Sequence, residues 1–154
     1  MTAIGDSVLI DAAPYLDKLL PGIAIDAKVG QQLDQVPPDV PTLRALGAER
    51  PVLVIELGTN GPYAAGQLTA LLDSMGPPQH VVLVNTRVPK PWEQQVNSTI
   101  ATVAHAFPHT TVVDWYTASA NHPEYFYPDG VHLDPVGAQR YADLIAQAVD
   151  QALG

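Results

Sequence analysis

The sequence predicts an α/β fold, a three-layer α-β-α sandwich built on a five-stranded parallel sheet. Two observations lead there. Short apolar, β-branched runs recur along the chain without polar alternation, which is how strands buried on both faces read. Between successive runs lie stretches long enough for a crossover helix. Five such alternations in 154 residues suit a single domain, residues 1–154, with right-handed connections. Ligands of such a sheet gather beyond the carboxyl ends of its strands.

Taken in order, a first short strand is expected at Thr2 to Ile4 and a first helix over Val8 to Leu20. A second short strand is expected at Ile23 to Ile25. The helical segment after it, Val29 to Gly47, contains Pro37, Pro38 and Pro41, which should split it into two pieces or leave it mostly as loop. Pro51 to Leu57 is the clearest strand, a nearly unbroken apolar run that stops at Gly58. A helix over Ala64 to Met75, a strand at Val81 to Val84, a helix over Pro91 to Ala106 and a strand at Thr110 to Asp114 follow. The last helix, Pro135 to Leu153, is the best defined. Asp134 can cap it, Pro135 suits its first position, and Tyr141, Leu144, Ile145, Ala148, Val149 and Ala152 fall on one stripe.

Seven Lys and Arg against sixteen Asp and Glu give a net charge of -9, so neither nucleic acid nor an anionic membrane surface is an expected partner. No run approaches the roughly 18 apolar residues of a membrane-spanning helix, so no membrane insertion by this chain is expected. The absence of cysteine excludes thiol catalysis, disulfides and thiolate metal sites, and leaves the compartment open. Met1 to Ile4 is too short and uncharged for a signal peptide. A strand that begins almost at residue 1 is expected of a domain excised from a longer protein. A monomer is expected.

Four positions that carry chemistry map to one rim of such a sheet. Gly5-Asp6-Ser7 follows the first strand, Gly30 the second and Gly58-Thr59-Asn60 the third, while Asp129-Gly130-Val131-His132 lies between the fifth strand and the last helix. Singly, each has an ordinary explanation: a turn with a helix cap, a tight turn, a surface histidine. Together they form a nucleophile, a base and a set of donors. A serine hydroxyl attacks only when a base takes its proton, and the imidazole of His132 can do so near neutral pH. Asp129, three residues earlier, can hold the other ring nitrogen. Backbone N–H groups of Ser7 and Gly30 and the side-chain amide of Asn60 would then stabilise the oxyanion.

Rivals exist within the same sequence. His122 is an alternative base and Asp114 or Asp134 an alternative partner for a histidine, whereas His80, His105 and His109 read as edge or surface residues. Asp114, His122, Asp129 and His132 offer ligand types for a metal site, but no recognised ligand spacing supports one, and neither metal nor other cofactor is expected. Trp92 is placed either to wall an acyl or sugar pocket or to anchor the core against the first helix. Asn97 would pin the preceding loop to its helix. Tyr125-Phe126-Tyr127 either fixes the loop carrying Asp129 or lines the pocket.

These motifs resemble those of the SGNH, or GDSL-like, hydrolase superfamily: Gly5-Asp6-Ser7 its nucleophile block, Gly30 its second-block glycine, Gly58-Thr59-Asn60 its third-block asparagine and Asp129-Gly130-Val131-His132 its Asp-x-x-His block. The resemblance covers nearly the whole chain. It implies a flavodoxin-like fold, a Ser7, His132, Asp129 triad and an oxyanion hole from Ser7, Gly30 and Asn60. A closer resemblance is to the C-terminal SGNH domain of bacterial peptidoglycan O-acetyltransferases of the acyltransferase-3 type. It is carried by Thr2 to Val8, Asp26 to Gly30, Leu57 to Gly61, Asn85 to Pro89 with Trp92-Glu93 and Val96-Asn97, and Asp129 to Leu133. That subgroup implies that Arg87 and Trp92 shape the substrate site and that acetyl esters are acyl donors. The sequence departs from it in having no membrane portion and in carrying Gln31 where a positive residue is usual.

The expected activity is hydrolysis of a small, short-chain acyl ester through an acyl-enzyme on Ser7. The alternatives are O-acyl transfer to a sugar or alcohol hydroxyl, and a catalytically silent glycan-binding domain. A domain excised from a membrane acyltransferase would work outside the cytoplasm, and a free-standing enzyme inside it.

Overall fold

Strands with no polar face must be covered on both sides, and the sheet of this protein is. The computed structural model describes residues 1–47, 51–76 and 80–154. In chain order its elements are β1 (Thr2–Gly5), α1 (Ser7–Leu19), β2 (Ala24–Ala27), α2 (Val40–Gly47), β3 (Val52–Glu56), α3 (Ala65–Ser74), β4 (His80–Val84), α4 (Glu93–Ala106), β5 (Thr110–Val113), α5 (Trp115–Ala118) and α6 (Pro135–Leu153). Short 3-10 turns occupy Leu33–Gln35, Pro37–Asp39 and Pro123–Tyr125. All strand pairs are parallel, in the order β2-β1-β3-β4-β5, so the sheet is the five-stranded parallel sheet expected of an α/β sandwich.

Alternate strand residues feed two apolar layers, as the two-residue period of a strand requires. Ala3, Val52, Val54, Val82, Val84 and Val113 face α1 and α6. Ile4, Leu53, Ile55, Leu57, Val81 and Leu83 face α3 and α4, where Leu68, Leu72, Val96 and Ile100 meet them. Each fully buried aliphatic side chain contributes roughly 1.5–3 kcal/mol relative to exposure, so the central strands are the most firmly held part of the chain.

Helix boundaries follow from local chemistry. Asp134 caps α6 by accepting from Gly137 N at 2.8 Å, and Pro135 fills the first position, where a missing N–H costs nothing. Tyr141, Ile145, Ala148 and Val149 are buried along α6, with Leu144 and Ala152 half-buried at the edge of the stripe. The prolines break Val29 to Gly47 as expected. Pro37 opens a 3-10 turn, and Pro41 sits in the first turn of α2.

Most element ends shift by one or two residues, and two strands and one helix differ for reasons that can be named. The second strand lies at Ala24–Ala27 rather than at Ile23 to Ile25, because Ile23 N still closes a turn on Leu20 O (3.0 Å) and its side chain joins the core. Asp114 does not extend β5 but caps α5, accepting from Thr117 N at 3.0 Å. Helix α5 itself was not expected. Its Trp115 is 2 % exposed, stacks on Tyr125 (centroids 5.8 Å) and meets Tyr141 edge-on (4.9 Å), which ties the stretch after β5 to α6.

The first turn of α6 presses against the backbone of that stretch. A Cβ on Gly137 would lie 2.0 Å from Tyr125 O, the carbonyl that accepts from Asp134 N at 3.0 Å. Gly137→Ala is therefore expected to destabilise by roughly 1–3 kcal/mol, as overpacking against backbone does. Val136→Ala, on the exposed side of the same turn, should cost under about 0.5 kcal/mol. Urea midpoints at unchanged m-value would show it, and equal midpoints for the two variants would contradict it.

Candidate active site

The register of the sheet decides which residues meet. Gly5 at the end of β1 stands beside Ala27 of β2 on one side and Glu56 of β3 on the other, so the three strands release their chains at one level. Ser7 opens α1 from that level. Asp6 caps the helix, its Oδ1 accepting from Val8 N at 2.9 Å, and this turn leaves Ser7 at the helix N-terminus, where partial positive charge favours developing negative charge.

The segment before α6 brings the histidine to the serine. His132 Nε2 lies 3.0 Å from Ser7 Oγ, across 125 residues of sequence. His132 Nδ1 lies 2.6 Å from Asp129 Oδ2. Asp129 Oδ1 accepts from Val131 N (2.9 Å) and His132 N (3.0 Å), so one carboxylate both folds the turn and orients the ring. Tyr127 N donates to His132 O (2.9 Å), Gly130 N to Tyr127 O (2.9 Å), and Leu133 N to Asp11 Oδ2 of α1 (3.0 Å). That last bond docks the segment on the helix that begins with Ser7.

The charges are consistent with this geometry. The hydrogen bond from His132 holds Asp129 below the usual carboxylate range, with two backbone N–H donors adding to the effect. Asp129 in turn raises the His132 imidazole above its usual value, against the opposing effect of burial, and the charges of Asp11 and Asp6 add to it. With Asp129 ionised, the imidazole proton sits on Nδ1 and Nε2 is free to accept from a hydroxyl. Such a chain can move a proton off Ser7 and hold it.

The two other rim motifs follow β2 and β3, the strands that flank β1. Asn60 Nδ2 donates to Gln31 O at 3.2 Å, which holds the turn after β3 against the turn after β2. Gly30 takes a left-handed conformation (φ 74°), and Gln31 beside it is buried.

The β4–α4 loop is braced from three sides. Asn97 pins it as expected, accepting from Thr86 N and donating to Thr86 O, both at 2.9 Å. Glu93 accepts from Val88 N at 2.8 Å. Trp92 Nε1 donates to Gly58 O at 3.1 Å, and its ring packs on the layer formed with α3 and α4 rather than against α1. Arg87 Nε donates to Ser119 Oγ at 2.8 Å, Nη2 donates to Tyr116 O, and the guanidinium lies over the Tyr116 ring at 4.2 Å. Arg87, Pro89, Glu93, His122 and Gly130 also border a cleft of about 450 Å3. Tyr125 and Phe126 pack on the core, while Tyr127 is half exposed.

The rival residues are occupied elsewhere. His122 Nδ1 pairs with Glu124 at 2.7 Å and its ring stacks on Tyr125 (4.6 Å). Asp114 is held by Asn85 Nδ2 (2.7 Å) and Thr117 N, and Asp134 caps α6. His80 and His109 meet edge-on at 5.6 Å at the start of β4 and β5. Among the described residues, no group of three His, Asp or Glu side chains could hold a metal ion.

Sequence reasoning missed the carboxyl beneath the serine. Glu56 is 3 % and Asp6 0 % exposed, and Glu56 Oε2 accepts from Asp6 N at 3.1 Å. Burial raises both carboxyls, Asp6 to about 6 from 3.8 and Glu56 well above its usual value, the charge of Asp6 adding to the effect at Glu56. The one signal was an acid inside an otherwise apolar strand. A carboxyl raised on folding adds stability below its unfolded value and loses it as pH rises through the folded one. For Asp6 that loss is on the order of 3 kcal/mol. Glu56→Gln removes the other raised carboxyl, and with it that carboxyl's own share of the loss. Urea titrations should therefore show Glu56→Gln gaining on the native chain as pH rises above the ordinary carboxylate range, and a gap independent of pH would contradict it.

Comparison with known proteins agrees with this fold. No protein-family model matches the chain. It is 43 % identical over 149 residues to the peptidoglycan O-acetyltransferase OatA of Listeria monocytogenes, covering 97 % of this chain and 24 % of that protein. The chain thus spans about a quarter of the length of that relative. Among solved structures it superimposes on the C-terminal catalytic domain of Streptococcus pneumoniae OatA, carrying a methylsulfonyl adduct, with TM-score 0.83 and 26 % identity over 99 % of this chain and 93 % of that one. A GDSL-like lipase from Bacteroides thetaiotaomicron shares the fold at TM-score 0.75 and 21 % identity, over 98 % of this chain and 87 % of that one. At 43 % identity over 97 % of its length the chain belongs to the family of the peptidoglycan O-acetyltransferases, and its parallel sheet has the fold shared with GDSL-like hydrolases.

Proposed function

We propose that the chain takes an acetyl-sized acyl group from an ester onto Ser7 and passes it to a carbohydrate hydroxyl. The observation that carries the reading is the unbroken hydrogen-bond chain Asp129–His132–Ser7 at the carboxyl rim of the sheet. Similarity to peptidoglycan O-acetyltransferases supports a sugar hydroxyl as acceptor.

In the first half-reaction Ser7 Oγ bonds to the acyl carbon as His132 Nε2 takes the hydroxyl proton. The carbonyl oxygen, now an anion, is met by the N–H groups of Ser7 and Gly30 and by Asn60 Nδ2. The leaving alkoxide departs with the proton from His132. In the second half an acceptor hydroxyl gives its proton to His132 and attacks the acyl carbon, and Ser7 Oγ leaves and is reprotonated. Asp129 stabilises the imidazolium in both halves. Trp92, fixed through Gly58 O beside the Asn60 turn, offers an apolar face for a sugar ring, and Arg87 shapes the cleft from behind by holding the loop to α5.

Hydrolysis is the second reading, favoured by the exposure of the dyad, 43 % for the His132 side chain and 47 % for Asp129. Incubating an acetyl ester with sugar or peptidoglycan-fragment acceptors and comparing new ester with free acid decides between the two. New ester well above the ratio of acceptor to water, lowered more by Trp92→Ala than total turnover is, is the expected result. Free acid alone with every acceptor would leave an esterase, and no turnover of any ester would leave a binding domain.

Ser7→Ala should cut turnover on the order of a thousandfold with the fold intact, and mass spectrometry should find a sulfonyl-fluoride adduct on Ser7 alone. Asn60→Ala should cost roughly 3 kcal/mol of transition-state stabilisation. The acid limb of kcat/KM follows deprotonation of His132, whose value Asp129 raises, so Asp129→Asn should move that limb to lower pH while lowering the plateau. A limb that stays in place would deny Asp129 this part, and full activity in His132→Ala with loss in His122→Ala would move the base.

A further inference from the structure

Two carboxyls that the mechanism above does not use lie directly beneath the nucleophile. Asp6 is fully buried, and its Oδ1 is taken by Val8 N. Its Oδ2 is buried without a donor among the described residues. Glu56 comes from the neighbouring strand, is nearly fully buried, and its Oε2 receives Asp6 N. The fit is tight: a Cβ on Gly5 would lie 2.7 Å from Glu56 Oε2 and 2.6 Å from Leu9 Cδ2, so the glycine before Asp6 makes room for this carboxyl. Two carboxylates this close and this buried cannot both be ionised.

We propose that Asp6 and Glu56 share one proton and act as a positioning pair, which clamps the Ser7 turn to the Asn60-bearing strand and keeps one negative charge beneath His132. The inference rests on the acyl-transfer reading for its consequence and on the geometry alone for the shared proton. A proton on the Glu56 carboxyl supplies the donor that Asp6 Oδ2 lacks, and the same carboxyl receives Asp6 N. β1 and β3 are thereby joined by two side-chain bonds immediately before the chains that carry Ser7 and Asn60.

A hydroxyl, two phenols and the His132 imidazole surround the pair. Thr59 after β3 lies near Asp6 and favours its ionised form, while Tyr63 before α3 and Tyr141 of α6 are buried phenols held neutral by burial and by the two carboxyls. His132 acts on Asp6 from the segment before α6, and Asp6, with Asp129 and Asp11, acts on His132 in return. When His132 takes the Ser7 proton, the negative charge below it favours the imidazolium.

Infrared difference spectra of the full chain, native against Glu56→Gln, read the proton without any turnover. Near neutral pH the native chain should show a protonated-carboxyl C=O band that Glu56→Gln lacks, and a native chain without that band overturns the proposal. Ester turnover reads the role. Glu56→Ala should lower kcat roughly tenfold with little change in KM, and Glu56→Gln, whose amide replaces the shared proton, should restore it to within about threefold. The acid limb of kcat/KM should stay in place in Glu56→Gln and move down by about half a pH unit in the double variant Asp6→Asn, Glu56→Gln, which removes the charge. A limb that shifts in Glu56→Gln, or stays in the double variant, overturns the retained charge. Should Glu56→Ala not fold, the infrared band and the double variant still decide. A native chain with the band but no turnover would sink the acyl-transfer reading and leave the shared proton standing.

Discussion

The site depends first on one pairing constraint: β1 is hydrogen-bonded in parallel to both β2 and β3, with Gly5 level with Ala27 and Glu56. Parallel strands all run the same way, so whatever follows them emerges from one edge, and level ends place those segments side by side. Slipping β1 by one residue would turn Ala3 and Ile4 to each other's layers and lift Ser7 out of line with the turns holding Gly30 and Asn60. Both apolar layers oppose such a slip. The precision of the site therefore comes from the packing of small and branched side chains well below it.

The histidine arrives by a different route, since no strand carries it. The segment from Pro123 to Leu133 is shaped almost wholly by its own hydrogen bonds, with Asp129 at their centre and an isolated pairing of Phe126 with Leu133 closing it. It is then held between Trp115 below and Asp11 of α1 at the side. Helix α6 leaves from it and lies along α1, burying Tyr141 and Ile145. The ends of the chain are thus packed together, and the His132–Ser7 contact lies at the top of that packing.

Much of this was legible in the sequence, for physical reasons that can be named. A strand buried on both faces must be uniformly apolar, so the runs Pro51 to Leu57 and Val81 to Val84 were plain, they form the strands Val52–Glu56 and His80–Val84, and residues just past their ends fell on the rim. Asp134 and Pro135 marked the start of α6 because capping is local. What stayed hidden depends on tertiary contacts. Helix α5 is four residues long, too short for any period, and exists because Trp115 fills the core. Glu56 was concealed by the apolar run around it, although an acid there required a partner. The resemblance gave Arg87 a part in shaping the site, but not its grip on Ser119 and Tyr116, which are more than 25 residues away in sequence. The pairing of His122 with Glu124 likewise separates it from His132 in a way that spacing alone could not.

The exposure of the Asp129–His132 dyad has a kinetic consequence. Among the described residues no element covers the imidazole, so in the proposed mechanism an acyl group on Ser7 lies beside a base open to water. Its fate is then a race between solvent attack and the arrival of an alcohol, and the winner is set by how long an acceptor dwells against the loop that Trp92 anchors. Among the described residues no segment gates this site. Its selectivity is a matter of residence time, rising with local acceptor density and falling as the surroundings are diluted.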